Sequence, residues 1–148
     1  MTEKTVGIVG VGLMGHGIAL NILRNGWTLR FLEHPGNQPT DDLLALSGIG
    51  VTDRQELART SDIVLLCVNG TPQVEDVLLG EDGMLDAVRP GTIIIDCSTA
   101  IPSSTEQIAA KAIAAGASPI TMAVVVCNWG GNLWLKLHPQ LSLHICRV

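Results

Sequence analysis

Tyrosine is missing from this 148-residue chain, phenylalanine occurs once, and charged residues make up only 16%. The nine Lys and Arg residues are scattered and outnumbered by 14 acids, for a net charge of −5. No basic stripe is therefore present to neutralise nucleic acid phosphates or to hold an anionic membrane, and neither is an expected partner. Long apolar runs are lacking as well, since none approaches the roughly 18 residues that a membrane span requires. Met1-Thr2-Glu3-Lys4 leads directly into a strand-like run without the charged, apolar and small-residue order of a secretory signal, so a cytoplasmic location is expected. The four cysteines, Cys67, Cys97, Cys127 and Cys146, lie 30, 30 and 19 positions apart, which matches no zinc or redox spacing. Cys67 and Cys97 fall in runs expected to be buried strands, where a thiol serves as a small hydrophobe.

What the chain does have is apolar residues, 47% of the total, and 16 glycines. The length suits one domain and is short for two. Near the start, Val6, Ile8 and Val9 form a short β-branched run of the kind found in a parallel strand covered on both faces. Gly10, Gly12 and Gly15 follow at the spacing G-x-G-x-x-G. In turn, the three glycines permit a tight turn, leave room for a pyrophosphate against bare backbone, and let helix pack closely on strand. A phosphate there meets unpaired helix N–H groups and the positive end of the helix dipole. The helix that follows carries an apolar stripe at Met14, Ile18 and Ile22, backed by Ala19 and Leu23, and stops at Asn25-Gly26. A second strand, Thr28 to Leu32, ends at Glu33, 18 positions beyond Gly15. A ribose-binding acid belongs roughly 20 residues after the fingerprint. Together these features predict a dinucleotide site.

Beyond Glu33, His34-Pro35-Gly36-Asn37-Gln38-Pro39 is a loop placed where the adenosine end would rest, with His34 either touching the ribose or simply solvated. Thr40 is expected to cap a short helix, Ile49 to Val51 to form a third strand, and Thr52-Asp53-Arg54-Gln55 to open the next helix as a capping box. Asp62 to Val68 reads as the fourth strand. Its end, Asn69-Gly70-Thr71-Pro72, is a second place for chemistry, because ligands of open α/β sheets lie beyond the carboxyl ends of strands. Thr71 is also the natural N-cap there, and Pro72 the first helical residue. Thr92 to Asp96 is the fifth strand, followed by Cys97-Ser98-Thr99-Ala100-Ile101-Pro102; the hydroxyls of Ser98 and Thr99 suit a small polar ligand. Ser103, with Glu106 after it, is expected to cap a helix over Thr105 to Ala115. Alternating strands and helices predict an α/β fold of Rossmann type, a doubly wound, mainly parallel sheet in three layers, α/β/α.

These residues resemble the N-terminal half of the β-hydroxyacid dehydrogenase family, which includes 3-hydroxyisobutyrate dehydrogenases, tartronate semialdehyde reductases, small-aldehyde reductases and, more distantly, 6-phosphogluconate dehydrogenases. The likeness rests on Gly7 to Gly15 followed by Ala19 and Asn21, on Gly26-Trp27-Thr28, on Thr71 to Leu78, and on Gly91 to Asp96 with Ser98 to Pro102. The methionine before the third glycine, together with the serine-threonine-proline element, makes it specific. The resemblance implies a nicotinamide cofactor, NAD or NADP, and hydride transfer involving a 3-hydroxy acid or a small aldehyde. By position, Gly10, Gly12, Leu13, Met14 and Gly15 hold the pyrophosphate side, Val68, Asn69 and Thr71 line the nicotinamide side, and Thr99 approaches nicotinamide and substrate, with Ser98 beside it. Where many members carry Asn-Arg-Thr for a 2′-phosphate, this chain has Glu33-His34-Pro35. A carboxylate about 4 Å from a phosphate charge costs roughly 4 kcal/mol at an effective dielectric of about 20, so NAD is expected to be preferred.

The resemblance covers residues 5 to 117, giving a dinucleotide-binding domain over 1–117 and a divergent tail over 118–148. In the tail, Thr121 and Val125 stand where the family has Asp and Ser, and Lys136 lacks the asparagine pair that follows the family's catalytic lysine. The expectation is a cofactor-binding half, truncated or ended by a frame change, without the family's helical domain and weakly active or inactive alone. The alternatives are a noncatalytic dinucleotide-binding or sensing module acting through a partner chain, and a misassembled fragment without a role. Ile120 to Val126 is expected to add a sixth strand, or else to leave an apolar patch that drives association into a homo-oligomer.

Overall fold

A computed structural model describes residues 4–117. The elements in chain order are β1 (Thr5–Val9), α1 (Leu13–Arg24), β2 (Thr28–Leu32), α2 (Asp41–Ala45), β3 (Ile49–Val51), α3 (Arg54–Thr60), β4 (Ile63–Leu66), α4 (Thr71–Leu79), a 3-10 turn at Met84–Asp86, β5 (Ile93–Asp96) and α5 (Pro102–Ala114). The five strands form one sheet in the order β3-β2-β1-β4-β5, and every described pair is parallel. The chain therefore winds outward from β1 in one direction through β2 and β3, then returns to build β4 and β5 on the other side. This is the Rossmann-type doubly wound sheet, with its order reversing between β1 and β4.

Alternation along the strands divides the core in two. Ile8, Leu29 and Phe31, the chain's single phenylalanine, are fully buried on one face with Ala19 and Leu23 of α1 and Leu43 of α2. Val64, Leu66 and Ile94 face the other way, against Leu57 of α3, Val74 of α4 and Ile108 of α5. Burial on both faces explains the near-continuous apolar character of these strands. The tail segment Ile120 to Val126, Lys136, Cys127 and Cys146 lie outside the described residues.

Several local expectations are corrected. The face of α1 turned to the sheet is Gly15, Ala19 and Leu23; Ile18 and Ile22 are only partly buried beside it, and Met14 is exposed. The helix axis lies so close to β1 that small residues must face the strand, which rotates the buried stripe by one position. β4 is shorter than Asp62 to Val68: it begins after Asp62, whose carboxylate accepts from Thr5 N and from Arg89 Nη2, both at 2.8 Å, and Cys67 and Val68 lie past its end. Cys67 and Cys97 are accordingly half-buried thiols just beyond β4 and β5 instead of strand residues. The expected hydroxyl caps are not used. The Asp53 carboxylate, not Thr52, accepts from Gln55 N at 2.8 Å; Thr40 makes no side-chain cap; Gly70 precedes α4, and Ser103 lies inside α5, which starts at Pro102.

Two consequences are measurable. A Cβ on Gly7, in the central strand, meets the Ser61 hydroxyl and lies 3.1 Å from Leu57 Cγ, while Ser61 Oγ is committed to Leu57 O at 2.6 Å. Gly7→Val lowers stability by about 1–3 kcal/mol through overpacking, read as a reduced urea midpoint at unchanged m-value. His16 of α1 joins Asp42 of α2, Nε2 to Oδ1, at 2.9 Å. That hydrogen bond holds the Asp42 carboxyl below its ordinary value of 3.8. A depressed carboxyl stabilises the fold above its unfolded value and loses that contribution as pH falls through the folded value. Asp42→Asn is thus less stable than the parent at neutral pH, and the two thermal midpoints converge in acid below the carboxylate range.

Candidate dinucleotide site

The site is built where β1 and β4 diverge. Gly10 leaves β1 with φ at +92°, a left-handed conformation that L side chains avoid, and a Cβ there runs into the carbonyl of Cys67. Gly15, in the first turn of α1, is pressed against the Gly10 carbonyl so closely that any side chain collides with it. The first and third glycines are thus steric necessities of the turn and of the helix contact. Gly12 differs: a Cβ there meets nothing within 4 Å among the described residues. It is the N-cap of α1, with no side chain capping the helix and no acid in the first turn. The N–H groups of Leu13, Met14 and Gly15 have no acceptor within the helix, since a helix leaves its first donors unpaired. An open, bare, uncapped helix start of this kind fits a diphosphate. Leu13, 85% exposed, and Met14, 52% exposed, border the same opening.

The loop after β2, where the sequence places the adenosine end, lies beside the glycine turn. Glu33, His34, Pro35, Asn37, Gln38, Pro39, Thr40 and Asp41 line an open cleft of about 600 Å³. Glu33 is exposed and its N–H donates to Val51 O at 2.8 Å, which fixes its backbone between β2 and β3. His34 is exposed, and its Nδ1 accepts from Gly36 N at 3.0 Å, an internal turn contact that leaves the other ring nitrogen facing outward. Gln38 N donates to Val11 O at 2.9 Å, and Asn37 Nδ2 to Leu32 O at 2.9 Å. These two bonds fasten the adenosine loop to the glycine turn and to the end of β2. Sequence reasoning missed both residues, because a backbone tie and an amide folded onto its own strand leave no pattern in the sequence.

The loops after β4 and β5, expected to line the nicotinamide, are latched to each other. Val68 N donates to Ser98 Oγ at 3.0 Å, and Ile101 N donates to Thr71 Oγ1 at 2.8 Å. Ser98 is buried and its hydroxyl is engaged in the latch, whereas Thr99 and Asn69 are exposed. Thr71 is half-buried, and its hydroxyl serves the neighbouring loop in place of its own helix. Thr99 O lies 3.5 Å from where a Gly70 Cβ would stand, so the two loops touch. The fold thus brings Gly10, Gly12, Val68, Asn69 and Thr99 to one end of the sheet, with Glu33 and His34 across the glycine turn.

One buried acid was also missed. Asp96 is 2% exposed; its Oδ1 accepts from Ser98 N at 2.8 Å, while Oδ2 has no partner among the described residues. Burial pushes its carboxyl above the ordinary value, against the lowering effect of the Ser98 bonds. The available signal was an acid closing the apolar run Ile93 to Ile95. The neighbouring thiols are raised by burial too, Cys97 to about 11, so both remain protonated and inert at neutral pH.

A family model described as the NAD binding domain of 6-phosphogluconate dehydrogenase matches residues 5–131, which carries the likeness beyond Ala117. The 2-hydroxy-3-oxopropionate reductase of Escherichia coli is 36% identical over 104 residues, covering 70% of this chain and 35% of that protein. A cytokine-like nuclear factor, N-PAC, of Xenopus tropicalis is 33% identical over 117 residues, covering 78% of this chain and 21% of its own length. The crystal structure of a 3-hydroxyisobutyrate dehydrogenase from Salmonella typhimurium superposes with a TM-score of 0.71 at 31% identity, over 84% of this chain and 43% of that one. The chain thus spans only about a third of the reductase that it matches. With its glycine turn, strand order and length of match all agreeing, the chain belongs to the family of nicotinamide dinucleotide-binding domains represented by that of 6-phosphogluconate dehydrogenase.

Proposed function

We propose that this chain is the cofactor-binding half of a cytoplasmic oxidoreductase that passes a hydride between NAD and a small 3-hydroxy acid or the matching aldehyde. The observation that carries the reading is the open cradle at Gly12, under an uncapped helix start and beside the cleft that Glu33 borders. In this reading the N–H groups of Leu13, Met14 and Gly15 receive the diphosphate, and Glu33 faces the adenosine ribose. Bound nicotinamide supplies or accepts the hydride. Val68 and Asn69 support it from the β4 loop, Thr99 stands on its substrate side, and Ser98 and Thr71 act by holding those loops together. The substrate class is supported by the activities for which the reductase and the 3-hydroxyisobutyrate dehydrogenase are named. Residues 1–117 form the gripping unit.

NAD is preferred over NADP because Glu33, the exposed acid that follows β2, puts a negative charge on the side of the cleft where the extra phosphate of NADP would lie. The second reading, a noncatalytic module, is favoured by the match to a protein named as a nuclear factor. Turnover separates the two. A proton donor at the reacting oxygen contributes roughly two to four orders of magnitude. In this family it is supplied by a lysine and a helical domain with no counterpart in the described residues.

Binding is read by fluorescence titration with NADH, and turnover with a panel of 3-hydroxy acids. Binding with slow turnover is the expected result; binding without turnover selects the noncatalytic reading, and no binding removes both. NADH is expected to bind more tightly than NADPH, and equal dissociation constants would eliminate the stated preference. Gly12→Ala is the cleanest probe of the cradle, because φ at −78° accepts any side chain and the added methyl meets no protein atom. It weakens NADH binding by at least about tenfold, or 1.4 kcal/mol, at unchanged thermal midpoint. Retained affinity in that variant would sink the diphosphate assignment.

A further inference from the structure

The geometry points to Gly50 as a specificity-determining position that draws the Glu33 carboxylate away from the cofactor and keeps the preference for NAD weak. The inference rests on the reading of Glu33 as the ribose-facing acid. Gly50 sits in the middle of β3 and is the register partner of Phe31, as Val51 is of Leu32. Glu33 is therefore two positions further toward the carboxyl end of the sheet, about 7 Å at strand spacing. Its side chain nevertheless folds back over β3. A Cβ built on Gly50 runs into Glu33 Oε1 and comes within 3.0 Å of Cδ and 3.1 Å of Cγ. The whole end of the side chain thus rests on the bare backbone of Gly50.

Dinucleotides lie beyond the carboxyl ends of the strands in an open parallel sheet. A carboxylate seated on Gly50 has turned the opposite way, toward the amino ends. Its like-charge effect on a 2′-phosphate, and its bond to a 2′-hydroxyl, are both reduced in that position. The seat exists only because residue 50 has no side chain. Unlike Gly10, Gly26, Gly91 and Gly116, Gly50 does not have a positive φ, so a larger residue is free of backbone strain there. The three atoms nearest to an added Cβ all belong to the exposed and flexible Glu33 side chain, which can give way. With the seat filled, the carboxylate moves toward the ribose end of the cleft lined by Glu33 and His34. Gly50 acts through Glu33 and touches no cofactor atom, which makes it a positioning residue.

The test compares NADH and NADPH affinities, by fluorescence titration of the full chain, in the parent, Gly50→Ala, Glu33→Gln and the double variant. Gly50→Ala is expected to raise the NADPH-to-NADH ratio of dissociation constants on the order of fivefold, as for a carboxylate brought about 2 Å closer to a phosphate at an effective dielectric of about 20. Its thermal midpoint stays at or above that of the parent, since alanine costs a strand less than glycine does. In the Glu33→Gln background the same substitution leaves the ratio unchanged, a coupling that a merely structural role would not produce. A ratio unmoved or lowered by Gly50→Ala, with Glu33→Gln still collapsing it, overturns the role of Gly50 alone. A ratio unaffected by Glu33→Gln overturns the underlying assignment of the acid, and the inference with it.

Discussion

Everything at the functional end of the sheet depends on how closely α1 is pressed against the end of β1. Gly15 lies against the Gly10 carbonyl, and Gly10 in turn lies against the Cys67 carbonyl beyond the neighbouring strand. Three backbone segments meet there with no side chain between them. That proximity brings the free donors of a helix start to the point where the strand order reverses, so the positive end of the α1 dipole faces the crevice there. Side chains are excluded at Gly10 and Gly15 by the protein itself, whereas at Gly12 the space remains open. Steric necessity and binding capacity are thus separated within one six-residue turn.

The same closeness explains how the remaining loops are used. The polar groups around the glycine turn serve to fasten its loops. Gln38 N ties the adenosine loop to Val11 O, Ser98 holds Val68 N, and Thr71 holds Ile101 N. Each of these net hydrogen bonds is worth about 1 kcal/mol. Their larger effect is to fix the loops in two pairs, the glycine turn with the loop after β2 and the loop after β4 with that after β5, so that the rims of the crevice are shaped before any ligand arrives. Asp96 lies beneath this arrangement as a buried carboxyl bonded to Ser98 N, and its unpartnered Oδ2 is a cost carried by the loop that it organises.

The sequence was most legible where a physical constraint falls on a single short stretch. The fingerprint Gly10, Gly12 and Gly15, the buried run before it and the acid at Glu33 could all be read because strand, turn and helix start are local. The doubly wound sheet was readable from the alternation of elements. Local capping was not: Thr71 looks like an N-cap, yet its hydroxyl is taken by a loop 30 residues away. Ser98 looks like a ligand-facing hydroxyl, and it is buried for the same reason. The stripe of α1 was displaced by one residue because hydrophobicity scales reward Met14 over Gly15, whereas the helix-to-strand distance admits only the glycine. The seat at Gly50 carries no sequence signal, since it depends on register between two strands and on a side chain from a third position.

Gripping a cofactor and performing chemistry on it are demands of different kinds, and they distribute differently along a chain. A diphosphate can be held by backbone donors, and so one turn and one helix suffice. A reacting carbonyl needs a proton donor and walls that exclude water, which must be side chains brought from elements that lie far apart. The likeness to this chain is accordingly confined to part of each relative, about a third of the reductase and about a fifth of the nuclear factor, two proteins with dissimilar names. Glu33 follows the second strand and its side chain lies against Gly50 of the third, so this acid is held wholly within the described domain. The side chains that carbonyl chemistry requires would have to be brought to the end of the sheet where Asn69 and Thr99 are exposed on the loops after β4 and β5.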